Sequence, residues 1–503
     1  MASSRKLRLL FRAIVLAFGA IALFTRFHAA SLLGAYDDDA FYYFQIARNI
    51  VTLHRSTFDT LHLTNGYHPL WMLVIVALTF LASGKLFFVL LQLVAFASFA
   101  TTYYAARRVF LYVSTNAALP EIAAAIVALQ TLFLIHGGME ITLTLPLSLL
   151  LAAFRLRPAF HWTPRTALTY GLLASLVVLS RLDAILFIGP ILALDALFTR
   201  STARLLAPIT AAVPVILYAL LNHHFFGTLT PVSAQAKDLR LHPGFSFTAL
   251  HSSLYFLTSA YGYLIIFPAV LVVLLSLATS RKPRTNPANR TAQILGLTFI
   301  AFPILQLLTV SITSDWQIWS WYLYSFTLAL AGAFLLLFDK FPSPTLPKDL
   351  DNLLAGATAV MAILYALSTT ANVTPHWTTF ATDVAAFAAT HPGTYAMGDC
   401  AGTTGYLIHQ PVVQLEGLVM DKPFLDNLRQ QRDLSAVLRD YNIRYYVTFR
   451  AIPEGSCFRV DEPAKSGPDS PRMRTTLCQQ PAASFPVGPT TLQIFDLAPH
   501  PAP

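Results

Sequence analysis

Tyr36-Asp37-Asp38-Asp39-Ala40-Phe41-Tyr42-Tyr43 places three consecutive carboxylates just past the first long apolar run of the chain. Carboxylates are costly inside a bilayer, so acids held at its edge point to function. The residues that follow, Phe41-Tyr42-Tyr43-Phe44-Gln45-Ile46-Ala47-Arg48-Asn49-Ile50, read as an amphipathic helix lying on the surface. Thr64-Asn65-Gly66-Tyr67-His68-Pro69-Leu70-Trp71 then reads as a polar, aromatic turn back into the membrane. This order predicts a site that faces the lipid at the membrane surface.

Composition agrees. The chain has 503 residues, 55% of them hydrophobic and 12% charged, against about 25% charged in a soluble domain. It reads as an α-helical polytopic membrane protein with a more polar tail after residue 371. The net charge of +9 does not mark a nucleic-acid surface. The Lys and Arg residues sit in short clusters between apolar runs, as in cytoplasmic loops. Three cysteines exclude a disulfide framework. Cys457 and Cys478 are free to pair in an oxidising compartment or to remain two thiols, and Cys400 reads as a packed core residue. Arg5-Lys6-Leu7-Arg8, an apolar run and His28-Ala29-Ala30 fit either a signal peptide or an uncleaved first helix. The second reading is preferred, because it tethers the carboxylates.

Apolar runs fall near 9–28, 69–82, 86–106, 121–137, 141–155, 167–180, 184–199, 205–221, 254–279, 292–312, 318–338 and 352–370. A full crossing takes about 20 residues. The basic clusters are Arg5-Lys6-Arg8-Arg12, Arg107-Arg108, Arg155-Arg157-Arg165, Arg200-Arg204, Arg281-Lys282-Arg284-Arg290 and Lys340-Lys348. If all are cytoplasmic, 69–106 contributes one net crossing. Residues 69–82 are then a short or re-entrant piece, and about eleven helices span the membrane, with the N-terminus inside and the tail outside. Asp37 to Asp39, Glu140, the 222–253 loop, Asp315 and residues 371–503 all fall on the outer face, with Arg181 and Asp183 at the outer end of their crossing. Residues 1–371 form the membrane domain and 372–503 a separate α/β domain. In the tail, 394–397, 410–415 and 443–449 read as strands, 398–405 as a loop and 424–439 as a helix.

Several groups stand out chemically. A carboxylate among Asp37 to Asp39 is placed to take a proton from an acceptor hydroxyl; the plainer reading is an N-terminal helix cap. Glu140, after Gly137-Gly138-Met139, is a lone acid beside an apolar run, and again a cap is the alternative. Arg181 suits a phosphate, or else locks two helices through Asp183. Lys237 ends the outer loop as a point charge for a phosphate. His223-His224 is a weak metal signal and reads more simply as ordinary interfacial histidines, and Trp316, Trp319, Trp321 and Tyr322 read as an interfacial belt, though aromatics also suit sugar rings and polyprenyl chains. Walker, HExxH and GxSxG motifs are absent from the sequence. Gly398-Asp399-Cys400-Ala401-Gly402 resembles a nucleotide turn only faintly and would face outward, where nucleotide is scarce, so a lipid-linked donor is favoured over a nucleotide sugar.

The chain resembles polytopic bacterial glycosyltransferases of the GT-C fold, related to protein O-mannosyltransferases and aminoarabinose transferases. The resemblance rests on Asp38-Asp39-Ala40-Phe41-Tyr42-Tyr43, Thr64 to Trp71, Gly138-Met139-Glu140, Phe226-Gly227-Thr228-Leu229-Thr230-Pro231-Val232-Ser233 with Lys237, and Gly405-Tyr406 with Leu415-Glu416-Gly417-Leu418-Val419. It implies transfer of a sugar from a polyprenyl-phosphate donor, usually with inversion, to a glycan, lipid or protein acceptor on the outer face of the cytoplasmic membrane. Asp38 is the implied base, with Asp39 and Glu140 as further catalytic acids. The same three acids are the ligands of a divalent metal, Mg or Mn, if one is used. Arg181, Lys237, His68, Tyr42 and Trp71 are the implied substrate-binding residues. A transporter or flippase of lipid-linked sugars would instead want polar residues along the bundle interior. A non-catalytic assembly protein would not need acids in two outer loops. The tail is expected to shape acceptor access, since its acids, such as Asp399 and Glu416, look scattered in sequence.

Overall fold

The computed structural model describes residues 2–29, 32–114, 118–135, 137–198, 201–278, 287–340 and 376–498. Helices form over every apolar run within that range. In chain order they are α1 (Ala2–Ala29), α2 (Asp38–Leu53), α3 (Pro69–Leu81), α4 (Gly84–Leu111), α5 (Ala118–Ile135), α6 (Ile141–Leu156), α7 (Pro164–Ser180), α8 (Ile185–Phe198), α9 (Leu206–Phe226), α10 (Val232–Asp238), α11 (Thr248–Leu257), α12 (Phe267–Ala278), α13 (Pro287–Thr313) and α14 (Tyr324–Lys340). Among the described residues six helices are long and apolar enough to cross a membrane, or seven if one bent pair counts as a span. The protein is a multi-pass membrane protein. The run 352–370 and the expected domain boundary at 371/372 lie outside the described residues.

The helix ends carry opposite chemistry. Glu121, near the start of α5, draws in three neighbours: Arg12 Nε at 3.1 Å, Arg107 Nε at 2.6 Å and Tyr103 OH at 2.7 Å. Two of the basic clusters therefore meet on one carboxylate. Arg155 at the end of α6 pairs with Asp195 of α8 at 2.8 Å, and Arg290 lies over the Phe198 ring at 4.1 Å. The opposite end gathers Asp39, Glu140, Arg181, Lys237 and Asp315. At that end α3 begins at His68, beside Glu140. The chain is back on the same side by Phe88, which stacks on Tyr36 with centroids 5.3 Å apart. The 13-residue α3 thus starts and finishes near one face.

One expected crossing is broken. Residues 254–279 do not form one straight span: the Thr248–Leu257 and Gly262–Ala278 helices meet at 85°. The polar Thr258-Ser259 interrupts the apolar run, and a Cβ at Gly262 would lie 2.2 Å from the Leu257 carbonyl oxygen. Before the bend, the α11 residues His251, Ser252, Tyr255 and Phe256 line a cavity together with Asp39 and Lys237.

The C-terminal segment holds α15 (His376–Thr390), α16 (Ala401–Leu407), α17 (Lys422–Arg429) and α18 (Leu434–Asp440), with eight strands. Strands β1 (Tyr395–Met397), β2 (Val412–Gln414), β3 (Tyr445–Thr448), β7 (Ala483–Val487) and β8 (Thr490–Asp496) make a sheet in the order β2-β1-β3-β8-β7. The first three are parallel, and β8 and β7 are antiparallel additions. Strands β4 (Ile452–Glu454), β5 (Cys457–Glu462) and β6 (Met473–Leu477) form a separate antiparallel sheet, across which Cys457 and Cys478 are disulfide-bonded. Two local expectations need correction. Residues 398–405 are not a loop throughout, because α16 begins at Ala401. The helix expected over 424–439 is two helices, interrupted where Gln431 adopts a positive φ of 50°.

This segment docks on the polar end of the bundle. The α16 helix packs on α2, with Tyr406 under the Arg48 guanidinium at 3.9 Å. Asp315, after α13, accepts from Thr248 Oγ1 at 2.8 Å and from the Asp469 N–H at 2.6 Å, and Trp316 bridges to Ser466 in antiparallel fashion.

Substituting Glu121→Gln removes the charge shared by Arg12 and Arg107. Breaking a largely buried pair in this way costs about 3 kcal/mol. The expected outcome is a clear fall in the thermal unfolding midpoint of the detergent-solubilised protein, read by near-UV circular dichroism.

Candidate active site

The three consecutive acids have three different environments. Asp37 precedes α2, and its N–H donates to the Gly137 carbonyl at 3.1 Å. Asp38, in the first turn of α2, is engaged on both carboxylate oxygens. The Gly402 and Thr403 N–H groups donate to it at 2.9 and 2.8 Å, so it caps α16. A Cβ at Gly402 would lie 2.1 Å from the Asp38 carbonyl oxygen, so only glycine permits this approach. Asp39 accepts no hydrogen bond from a described residue and lines two adjoining cavities. Burial pushes its carboxyl up to about 6, against the pull of the Lys237 ammonium. Burial also raises Asp38, and its two backbone donors oppose that rise.

Glu140 and Arg181 form the floor. Arg181 Nη1 donates to Glu140 Oε1, and its Nε donates to Asp183 Oδ1 at 2.9 Å. The guanidinium lies over the Tyr322 and Tyr324 rings at 4.5 and 5.0 Å. Tyr324 OH and Gln306 Nε2 donate to Asp183 at 2.9 and 2.8 Å. The second oxygen of Glu140 accepts from Tyr43 OH at 3.2 Å. His68 Nε2 is 3.7 Å from Glu140 Oε1, while its Nδ1 accepts from the Leu182 N–H at 3.3 Å. Burial holds the His68 imidazole below its ordinary value, against the pull of Glu140.

Lys237, in α10, has no ion-pair or hydrogen-bond partner for its ammonium among the described residues. It lines three cavities, of about 580, 220 and 70 Å³. The smallest lies between Asp39, Glu140, Arg181 and Lys237. The 220 Å³ cavity opens between Arg181 and the α13 residues Thr309, Val310 and Thr313. The largest lies between α2, α11, the 316–321 segment and the C-terminal residues Asp399, Cys400, Glu416, Leu418 and Lys465.

The structure thus brings together Asp38, Asp39, Tyr42, His68, Glu140, Arg181 and Lys237. It does not bring Trp71 into this group. Trp71 is fully buried, and its indole N–H donates to the Gly138 carbonyl at 3.1 Å, so it holds the turn before Glu140. Asp38, Asp39 and Glu140 do not assemble as metal ligands either, because backbone N–H groups occupy Asp38 and Arg181 occupies Glu140. Among the described residues no three His, Cys, Asp or Glu side chains are grouped to hold a metal ion. The Trp316 and Trp321 side chains are buried in the cavity wall, not arrayed as a belt. Cys400 is a partly exposed helix N-cap with a positive φ of 61°, not a fully packed core residue. The tail acids Asp399 and Glu416, which look scattered in sequence, line one cavity with Asp39. Their distance from Asp39 along the chain, more than 350 residues, hid this.

Against this geometry, comparison with solved structures places the fold. The crystal structure of ArnT from Cupriavidus metallidurans in the apo state superposes with a TM-score of 0.54 at 16% identity, covering 89% of this chain and 93% of ArnT. ArnT bound to undecaprenyl phosphate gives 0.52 at 14% identity, over 93% of this chain and 97% of ArnT. The chain shares its fold with ArnT. It is the GT-C-like architecture that the sequence resemblance implied. The arabinofuranosyltransferase AftD from Mycobacteria matches at a TM-score of 0.47 and 14% identity, and this chain spans 40% of its length. No protein-family model and no curated protein matches the sequence.

The two cations near Asp39 are predicted to behave differently. Arg181→Ala strands Glu140 and Asp183 and is expected to destabilise the protein by about 3–5 kcal/mol, seen as a lower unfolding midpoint. Lys237→Ala removes a cation without an ion-pair partner among the described residues and is expected to leave the midpoint nearly unchanged.

Proposed function

We propose that this protein is a glycosyltransferase that moves a sugar from a polyprenyl-phosphate donor to an acceptor hydroxyl at the outer face of a bacterial cytoplasmic membrane. One observation carries the reading: an unengaged carboxylate, Asp39, and an unengaged ammonium, Lys237, share the walls of adjoining cavities at the membrane-edge end of a GT-C-like bundle. The shared fold supports it further, since ArnT has been crystallised with undecaprenyl phosphate. The disulfide between Cys457 and Cys478 fits a C-terminal segment held in an oxidising compartment.

The chemistry follows from these positions. The lipid phosphate enters along the α13 side of the 220 Å³ cavity and meets Lys237, with His68 and Arg181 beside it. Tyr42 lines the walls on which Asp39 opens. Asp39 takes the proton of the acceptor hydroxyl as its oxygen bonds to the anomeric carbon. The bond from that carbon to the phosphate oxygen breaks, and the polyprenyl phosphate leaves with its negative charge beside Lys237. Attack from the face opposite the phosphate inverts the anomeric centre. The base role implied for Asp38 passes to Asp39 because both Asp38 oxygens are occupied by backbone N–H groups. Glu140 acts by fixing Arg181.

The test uses full-length protein in detergent, a synthetic polyprenyl-phosphate sugar and an envelope extract as acceptor. Asp39→Asn is expected to lower turnover by about a hundredfold with donor binding retained, and Asp38→Asn to cost less turnover and more stability. A base must be unprotonated to act. Turnover is therefore expected to be full above pH 7 and to fall through an acid limb centred near pH 6, the value to which burial raises Asp39. Wild-type protein that binds no such donor, or full turnover in Asp39→Asn, overturns the reading.

Orientation is tested separately. A reporter fused after Arg108 or Arg165 is expected to read cytoplasmic, and one at the C-terminus external.

A further inference from the structure

The 580 Å³ cavity has chemistry that donor binding and proton transfer leave unused. Trp319 and Trp321 stack at one side, 5.9 Å apart and 18° from parallel. Trp316 is 5% exposed and its indole N–H has no partner among the described residues. Glu416, also 5% exposed, has one carboxyl oxygen that accepts from Gln414 Nε2 at 3.1 Å and a second with no partner among the described residues. Lys465 pairs with Asp399 at 2.6 Å and lies over the Trp319 ring at 4.8 Å.

Buried polar atoms are almost always hydrogen-bonded. Two such unpaired atoms belong to residues that line one cavity, a donor on Trp316 from the 315–321 segment and an acceptor on Glu416 from the C-terminal segment, and small side-chain rotations would turn them to a ligand's own polar groups. An aromatic wall with a few convergent polar atoms is the makeup of a small-molecule site. A flat wall of indole beside separate donor and acceptor positions suits a sugar ring, which offers an apolar C–H face and hydroxyls at its rim. The wall also holds five carboxyl groups, Asp37, Asp38, Asp39, Asp399 and Glu416, against the ammonium groups of Lys237 and Lys465. This lining offers an anionic ligand little beyond the two ammonium groups, one of which Asp399 already holds.

We propose that this cavity is the acceptor subsite and that the acceptor is a carbohydrate, a neutral or amino-substituted sugar recognised jointly by the 315–321 segment and the C-terminal segment. This rests on the glycosyltransferase reading. Its geometry is directional: Lys237 and Arg181 line the α13 side, Asp39 stands between that side and the cavity holding Trp319 and Glu416, and Trp316 lies in the wall that the two cavities share. An acceptor hydroxyl reaching Asp39 from the second cavity meets the anomeric carbon from the side opposite the phosphate. Glu416 and Trp316 act as specificity residues.

The experiment measures transfer from a synthetic polyprenyl-phosphate sugar by full-length wild-type protein and by Glu416→Met, Glu416→Gln and Trp316→Phe. The acceptors are methyl glycosides of neutral hexoses and of 2-amino hexoses, hexose 6-phosphates, and a peptide rich in Ser and Thr. Transfer is expected to neutral or amino glycosides. Glu416→Met and Trp316→Phe should each raise the acceptor KM about tenfold. In Glu416→Met, whose side chain lines the large cavity and not the 220 Å³ one, the donor KM should be unchanged. Glu416→Gln, which still accepts a hydrogen bond, should recover most of the loss. Unchanged donor KM in Glu416→Met also reports that the variant folds. The proposal is overturned if the peptide or the hexose phosphates are preferred, if no glycoside is an acceptor although donor binds, or if Glu416→Met raises the donor KM instead of the acceptor KM. If wild-type protein fails to bind donor at all, the underlying glycosyltransferase reading fails with it, and that outcome is distinct from the others.

Discussion

The contact between the Asp38 carboxylate and the Gly402 and Thr403 N–H groups is the constraint on which the rest of the site depends. It joins the first turn of α2 to α16, residues more than 360 positions apart. Two charge-assisted hydrogen bonds on one carboxylate fix the distance between the membrane helices and the C-terminal segment. Glycine at 402 is what allows the two backbones to come so close. With this contact made, Asp399, Glu416 and Lys465 become walls of the same cavity as Asp39 and Lys237. The docking contacts of Asp315 with Asp469 and of Trp316 with Ser466 close the opposite side.

Charge placement then separates structural from available groups. Arg181 is surrounded by Glu140, Asp183 and two tyrosine rings, and Glu140 is held in turn by Tyr43. Groups this fully engaged keep their geometry but have little left to offer a substrate. Lys237 and Asp39 differ because their neighbours act on them through space and do not occupy them. A buried network of satisfied charges makes a rigid floor, and on that floor two unsatisfied groups of opposite sign stand beside open volume.

Much of this was legible in the sequence. The apolar runs give the helices, and two of the basic clusters, those of Arg12 and Arg107, meet on Glu121. The Asp37 to Asp39 stretch and Glu140 mark the site because acids among apolar residues are expensive. What could not be read is which of three adjacent acids stays free. That is decided by Gly402 and Thr403, which no local pattern connects to Asp38. Trp71 misled for a similar reason: an aromatic at a membrane turn looks like a ligand contact, yet its indole N–H is used by Gly138. The bend after Leu257 was hidden inside a long apolar run, where only Thr258-Ser259 and Gly262 signal a break. Strands β4 to β8 lie in a stretch whose partly exposed residues alternate weakly.

The dependence of Asp39 on burial gives the docked C-terminal segment a chemical role beyond shape. Burial is the largest cause of the raised Asp39 value, and Lys237 opposes it. Leu418 and Val419 of the C-terminal segment line the small cavity on which Asp39 opens. Were that segment to move away, water would reach the carboxylate, the largest raising influence would vanish, and Asp39 would relax towards the ordinary carboxylate range near 4. A base with a lower pKa is a poorer proton acceptor near neutral pH. The segment that supplies Glu416 to the large cavity therefore also tunes the carboxylate that would accept the proton, and both effects pass through the same contact between Asp38 and the N-terminus of α16.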